Sequence, residues 1–381
     1  MINLGIIGGG QLAKMTAQAA TQLGCKVVIT ERQAEFPAGS VAARTLMGDW
    51  DNPESLLDLA GLADVVTLEN EFVDAGALAV LEERGHLLWP SAATMRLIQD
   101  KLVQKQTLVS AGLPVPDMRS VERMEDVAAA AEEWGFPLLL KARRNAYDGK
   151  GNATLRSRAN VEAAWSRLGG DAGRLLFVER FCAFARELAV IVTRSPNGEV
   201  ATYPVVETVQ RDHICHTVCA PAPVAPEIAE RAADLGRRSA EAVGAIGSFG
   251  VEMFLMEDGE LLINELAPRV HNSGHYSIEA CVCSQFENHV RAVLGWPLGS
   301  TAMRAPAAAM VNLLASADGP GTPQGLADAL RVAGAHVHIY GKTRSAPGRK
   351  MGHVTVLSAT TDGALEVARR AAACIRFDGA T

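Results

Sequence analysis

Apolar positions in the first 90 residues fall into short runs separated by helix-length stretches. "LGIIG" (4–8), "KVVITE" (26–31) and "DVVTLE" (64–69) read as buried strands, while the segment from Gln11 and another near 53–60 space their apolar residues at helical intervals. Strands alternating with helices predict a parallel sheet covered by helices. Pro90, Pro114 and Pro116 punctuate the exit, and one helix from about Ser91 to Ala111 is expected between them. From about 120 the pattern changes to α+β. A strand "PLLLKAR", a glycine loop "YDGKGN" and a helix "ANVEAAWSRLG" lead into "FVERF", "ELAVIVTRS" and "VATYPVVETV", joined by short turns such as "PNGE". After Pro297 a smaller segment runs through "AHVHIYGK" and "MGHVTVLSA" to a final helix from about Gly363. The expected domains are 1–95, 96–296 and 297–381.

The most informative pattern is "FGVEMFLMEDGELLINEL" (249–266), two apolar runs split by Asp258 and Gly259. A two-residue type I′ turn there pairs Met256 with Leu261, Phe254 with Ile263, Met253 with Asn264 and Glu252 with Glu265. Like charges directly opposite on a ladder repel. The pair is either a solvent-facing acidic patch or, on a buried face, a site that demands a cation such as Mg²⁺.

The opening turn Gly8-x-Gly10-x-x-Ala13, with Glu31 closing the second strand, fits the pattern of a dinucleotide-binding βαβ unit. Glycines at a helix N-terminus suit any small anion, however, so the pattern alone does not choose the ligand.

Composition narrows these readings. The 381 residues are 48% apolar and 21% charged, with a net charge of −7, which argues against a nucleic-acid or anionic-membrane partner. Seven scattered cysteines read as reduced thiols, and "HICHTVC" lacks a second ligand pair at zinc-finger spacing. No apolar run approaches the ~18 residues of a membrane span, and no basic leader with a cleavage site opens the chain, so a cytoplasmic protein is expected.

Further candidates follow from residue chemistry. In "YDGKGN", Gly149 and Gly151 free the backbone to wrap phosphate while Lys150 adds charge; an ordinary surface turn explains the same residues. Lys141 at the end of an apolar strand needs an anion, whereas Lys101 unaided reads as solvated. Glu179 and Glu187 bracket a short crossing segment suited to a ribose and an adenine edge. Lys342, Arg344, Arg349 and Lys350, four cations within nine residues of an acidic chain, favour an anion site. His271 and His275, in a polar loop with a glycine, read as ligand contacts; His289 and His353 read as structural.

Together Lys101, Lys141, "YDGKGN", "VERF", Glu187, the Glu252/Glu265 pair and "NELAPRVHNSGHYSIEACVCSQFENHVRA" resemble the ATP-grasp superfamily. With "GIIGGGQLAKM", "DVVTLENEFV" and "YGKTRSAPGRKMGHVTVL" they are similar to the 5-(carboxyamino)imidazole ribonucleotide synthetase family over nearly the whole chain. That resemblance implies a Rossmann-like N-terminal domain binding no dinucleotide, a central ATP-grasp domain and a small C-terminal α/β domain. It implies an ADP-forming carbon–nitrogen ligase of purine biosynthesis. Such an enzyme carboxylates 5-aminoimidazole ribonucleotide with ATP and bicarbonate, through carboxyphosphate, using Mg²⁺ or Mn²⁺. A cytoplasmic homodimer beside a separate mutase is the family expectation.

Carried over by residue, Lys101 and Lys141 contact phosphate, and Ala146, Tyr147, Asp148, Gly149, Lys150, Gly151 and Asn152 form the loop over the triphosphate. Glu179 and its successors hold adenine, Glu187 the ribose, and Gln210 a further nucleotide contact. Glu252 and Glu265 take Mg²⁺, with Asn264 beside it. Gln11, Glu71, Tyr147, Asp148, Arg269, His271 and Asn272 face the acceptor, and Lys342, Arg349 and Lys350 its 5′-phosphate; Arg269, Lys350 and Asp148 stand nearest the chemistry. Two features depart from the commoner bacterial pattern: Asn145-Ala146 replaces two glycines, and Thr208 and then Gln210 stand where a histidine follows "EN". The first, with "VETVQ", resembles the form fused to a mutase domain in fungi. The alternatives are a formate-using relative acting on glycinamide ribonucleotide, an NAD-dependent oxidoreductase using the opening turn, and a nucleotide-binding regulator.

Overall fold

The computed structural model describes residues 1–145 and 151–377. Its N-terminal sheet is parallel, in the order Arg44–Met47, Lys26–Glu31, Asn3–Ile7, Val65–Leu68, as the strand–helix alternation requires. The glycine turn at its edge is filled from within. Gly9 N–H donates to Glu31 Oε2 (2.7 Å), and Gly10 and Ala13 N–H donate to the two oxygens of Glu69 (2.8 and 3.2 Å). A Cβ on Gly9 would lie 2.2 Å from the Phe36 ring. The chain's own carboxylates thus take the amides that a pyrophosphate needs, and Glu31 serves this turn rather than a ribose, so the dinucleotide reading fails on geometry.

The expected helix over 91–111 is two, Ala92–Gln99 and Lys101–Ser110, broken at Asp100. Asp100 caps the second by accepting from Leu102 and Val103 N–H (3.1 and 3.3 Å) while Arg143 grips its other side (2.7 Å). Lys101, Gln104 and Lys105 thereby share one face of a new helix.

A small antiparallel sheet orders Met118–Val121, Leu176–Arg180, Leu138–Ala142 and Asn152–Leu155. A larger one runs Leu261–Ala267, Gly247–Met256, Phe184–Arg194, Val206–Arg211, Ile214–Ala220, Ala307–Leu314, Lys350–Ser358, Ala335–Ile339. "VATYPVVETV" is two strands, because Val200–Thr202 pairs back on Phe184–Arg194 before the chain turns through Tyr203 to Val205. Strand Ile214–Ala220 pairs with Ala307–Leu314, so the sheet is continuous across residue 297. Helix Pro226–Ala242 covers one face, over a core that includes Leu188, Val190, Val192, Phe249, Val251 and Ile263. All seven cysteines are free thiols, and among the described residues no helix is long and apolar enough to cross a membrane.

The N-terminal sheet is tied to the large sheet through His289. Ser248 N–H donates to its Nδ1 (3.0 Å), so the neutral ring carries its proton on Nε2 and donates to Thr67 Oγ1 (2.9 Å). Burial lowers the ring's pKa from 6.5 to about 4. Because the unfolded chain binds the proton more readily, this stability is whole above pH 6.5 and is lost as pH falls toward 4. Urea unfolding should show the native protein losing about 3 kcal/mol more over that window than His289→Gln, whose amide replaces both bonds without titrating. Equal losses would remove His289 from this role.

Candidate active site

The glutamate hairpin reaches its key pair by a different register from the expected one. Its turn holds three residues: Glu260 closes on Met256 (2.8 Å) and Gly259 adopts φ 85°. Leu255 therefore pairs with Leu261, Phe254 with Leu262 and Met253 with Ile263, one residue out of the anticipated ladder. A bulge at Asn264 then restores step, and Glu252 stands opposite Glu265. The bulge also frees Asn264 from the alternation that would have turned it away, and it lines the same cavity as both glutamates.

Glu252, Phe254 and their neighbours Glu187 and Thr208 occupy one face, since Phe254 pairs with Glu187 and Glu187 with Thr208. That face floors a cavity of about 930 Å³ between the two sheets, the start of the helix at Gln11 and the 342–350 turn. Burial raises the Glu252 carboxyl, and Glu265 and Glu187 push it further. Burial likewise pushes Glu265 upward, but Lys101 (3.1 Å) and Lys141 outweigh it and leave Glu265 low. Burial alone lifts Glu187 to about 7. Lys101, expected to be solvated, is thus the counter-ion of Glu265. Two opposed carboxylates, with the Asn264 amide on the wall of the same cavity, are hard donors suited to Mg²⁺.

The small sheet adds a buried ionic trio that sequence reading missed in part. Glu179, 2% exposed, sits between Lys141 and Lys105, whose Nζ is 2.6 Å away. Its carboxylate is engaged by two ammonium groups, and the crossing segment from Arg180 to Cys182 lines the cavity. Nearby Phe184 stacks on Phe254 with centroids 4.5 Å apart.

Toward the N-terminal domain Arg269 forks onto Glu71, Nε to Oε2 at 2.5 Å and Nη2 to Oε1 at 3.0 Å. Burial works against the Glu71 charge, yet Arg269 and Lys101 hold its pKa down to about 2. His271, its pKa driven to about 3 by burial and by Arg269 and Lys350, lies 3.5 Å from Glu252 Oε1. Gly250 makes that approach possible, because a Cβ there would fall 2.6 Å from the His271 side chain. Asn272 exchanges amide bonds with Asn312 (3.0 and 2.7 Å), a partner from the C-terminal segment that no local pattern announces.

Gln11, Gln210, Lys342, Arg349 and Lys350 line the same cavity, as do Asn152 and Glu187. His275 is 1% exposed and packs against His353, Phe286 and Tyr340, and it also lines the cavity. His353 is structural as read, accepting or donating at Tyr340 Oη (3.0 Å). The expected loop residues Ala146, Tyr147, Asp148, Gly149 and Lys150 lie outside the described residues, and Gly151 alone of its glycines is seen, at φ 91°.

Comparison with known proteins places this geometry. Residues 1–99 match the ribonucleotide synthetase preATP-grasp domain, 106–286 the ATP-grasp domain and 308–367 the phosphoribosylaminoimidazole carboxylase C-terminal domain. The N5-carboxyaminoimidazole ribonucleotide synthase of Synechococcus elongatus is 42% identical over 93% of this chain and 89% of its own length. The chain belongs to the N5-carboxyaminoimidazole ribonucleotide synthase family. Its central domain is an ATP-grasp domain. The synthetase structure from Thermotoga maritima superposes with TM-score 0.90 at 39% identity, covering all of both chains. The Aspergillus clavatus synthase, solved with ADP and 5-aminoimidazole ribonucleotide, gives TM-score 0.88 at 35% identity over 97% of each chain. The chain spans only 66% of the phosphoribosylaminoimidazole carboxylase of Ogataea methanolica, to which it is 42% identical over 93% of its own length.

Proposed function

We propose that this protein carboxylates the exocyclic amine of 5-aminoimidazole ribonucleotide, using ATP and bicarbonate and forming 5-(carboxyamino)imidazole ribonucleotide in purine biosynthesis. Family membership and the A. clavatus complex with ADP and this acceptor support the reading. The observation that carries it is one cavity joining the opposed Glu252/Glu265 pair to the cationic 342–350 turn.

Bicarbonate is a poor electrophile, because negative oxygens shield its carbon. Phosphoryl transfer from ATP converts one oxygen into a leaving group, as carboxyphosphate, and the amine then displaces phosphate. The enzyme's part is positioning and charge neutralisation, without a covalent nucleophile. Mg²⁺, or Mn²⁺, held by Glu252, Glu265 and Asn264, would neutralise the polyphosphate. Lys101 and Lys141 hold the remaining phosphate charge, the backbone after Glu179 reads the adenine, and Glu187 takes the ribose, with Gln210 nearby. Asn152, on the wall of the cavity, adds a contact to the triphosphate. On the acceptor side Arg269, fixed by Glu71, works with Gln11, His271 and Asn272, while Lys342, Arg349 and Lys350 receive the 5′-phosphate. His271, kept neutral by burial, presents a hydrogen-bonding ring without adding charge. The proposed domains are 1–95, 96–296 and 297–381, the last sharing the large sheet with the second. A cytoplasmic homodimer feeding a separate mutase completes the reading, supported by the family and the free thiols.

The test is ADP release. With ATP, Mg²⁺ and bicarbonate, 5-aminoimidazole ribonucleotide should stimulate it strongly. Stimulation only by glycinamide ribonucleotide with formate would assign the transformylase branch instead, and no response to either acceptor would overturn the reading.

A further inference from the structure

Two buried glutamines grip the segment that leaves the glutamate hairpin, one at each end. Strand Leu261–Ala267 is the edge of the large sheet, so its outer backbone groups have no strand to pair with. Gln104 takes that place at Leu266: its Oε1 accepts Leu266 N–H (3.0 Å) and its Nε2 donates to Leu266 C=O (3.1 Å). Five residues on, Gln285 repeats the arrangement at His271, accepting from its N–H (2.9 Å) and donating to its C=O (2.7 Å). Both side chains are 0% exposed. Each behaves as a one-residue strand built from a side chain, bonding both backbone groups of its target, as a partner strand does in an antiparallel pair.

Their placement divides the site. Gln104 lies on the helix that also sends Lys101 to Glu265, and it grips the residue directly after Glu265. Gln285 opens helix Gln285–Val293 and grips the residue between Arg269 and Asn272 that faces Glu252. It fills the space beside Gly274, where a Cβ would lie 2.6 Å from its amide, and its Nε2 also stands 3.2 Å from His275 Nδ1. Segment 265–272 carries ligands for both halves of the reaction, and without these bonds Leu266 N–H, Leu266 C=O and His271 N–H would be left unpaired, while His271 C=O would keep only Gly274 N–H (3.0 Å).

We infer that Gln104 and Gln285 are positioning residues with separate duties: Gln104 sets Glu265 for the metal-bound nucleotide, and Gln285 sets Arg269, His271 and Asn272 for the acceptor. Neither reaches the reacting atoms; each acts through the backbone it holds. Precision at this level matters, since a displacement of about 1 Å in a catalytic group can cost about a hundredfold in rate. The inference rests on the function proposed above.

The experiment compares Gln104→Glu and Gln285→Glu, near-isosteric changes that keep the acceptor oxygen and remove the donor. Calorimetry of Mg·ADP binding and KM for 5-aminoimidazole ribonucleotide are measured on both. Gln104→Glu should weaken Mg·ADP about tenfold with acceptor KM within about twofold, and Gln285→Glu should do the reverse. Equal effects of both variants on both quantities, or none on either, overturn the division of duties. Hydrogen exchange on the unmodified protein stands whether or not the variants fold. Leu266 and His271 amides should exchange as slowly as those of the neighbouring strand Gly247–Met256, and exchange at open-loop rates would overturn the clamps. If the unmodified enzyme gave no acceptor-stimulated ADP, the functional reading would fall while the exchange result still judged the clamps.

Discussion

Glu265→Gln is expected to abolish most turnover while leaving the fold as stable as before or more so. Glu252 and Glu265 face each other across adjacent strands on the cavity wall, and their mutual repulsion is offset chiefly by Lys101 at 3.1 Å. Neutralising one of the pair removes that repulsion and leaves Lys101 with Glu71 and Glu252 as anionic neighbours. Stability should therefore hold, and the melting temperature should stay level or rise, as happens where a site keeps strain for function. The reaction fares differently. A single remaining carboxylate grips a divalent ion poorly, and the charge stabilisation that the ion supplies is several kcal/mol. Acceptor-dependent ADP production should fall about a hundredfold or more, with weaker Mg·ADP binding by calorimetry. Turnover within about tenfold of the native enzyme would reject this pair as the metal site.

Lys105→Met should have the second large effect, on stability first. The ammonium and Glu179 are each 2% exposed and 2.6 Å apart, so removing one leaves the other's charge in a dry setting. Such a break costs about 3–5 kcal/mol, and the low end applies because Lys141 remains against Glu179. With Glu179 left to Lys141 alone, that lysine is also withheld from phosphate, and ATP should bind more weakly. Adding Glu179→Gln removes the stranded charge, so the double variant should recover most of the loss in urea unfolding. Losses that simply add would show that the two side chains do not stabilise each other.

The contrast between Lys105 and Glu252 shows what the sequence makes visible. Strand periodicity and the Asp258-Gly259 turn led to the opposed glutamates, yet through a register one residue out, and the Asn264 bulge cancelled the error. Hairpin pairing is a local property and can be read locally; the bulge depends on how the strand ends pack and left no mark in the pattern. The parallel sheet was equally legible, because buried strands need apolar runs. Lys105, Gln104, Gln285 and Asn312 were not, since each looks like an ordinary polar residue until a partner from 14 to 162 positions away closes on it. Glu69 belongs with them: the glycine turn was recognised, but not the carboxylate that plugs it from 59 residues downstream. The break at Asp100 shows an intermediate case, a capping residue hidden inside a stretch of otherwise helical periodicity.

Between the strand carrying Glu252 and the strand opening at Lys350, the large sheet counts five steps. Laid flat at about 4.8 Å per step these strands would stand about 24 Å apart. Yet the Lys350 charge is felt at Glu252 and at His271, because the sheet coils until its distant strands look at one another. The gap between the cationic 342–350 turn and the opposed carboxylates is then a gauge cut by backbone twist rather than by side-chain reach. Under the proposed function, a molecule whose phosphate and amine are spaced otherwise would find one jaw of that gauge and miss the second.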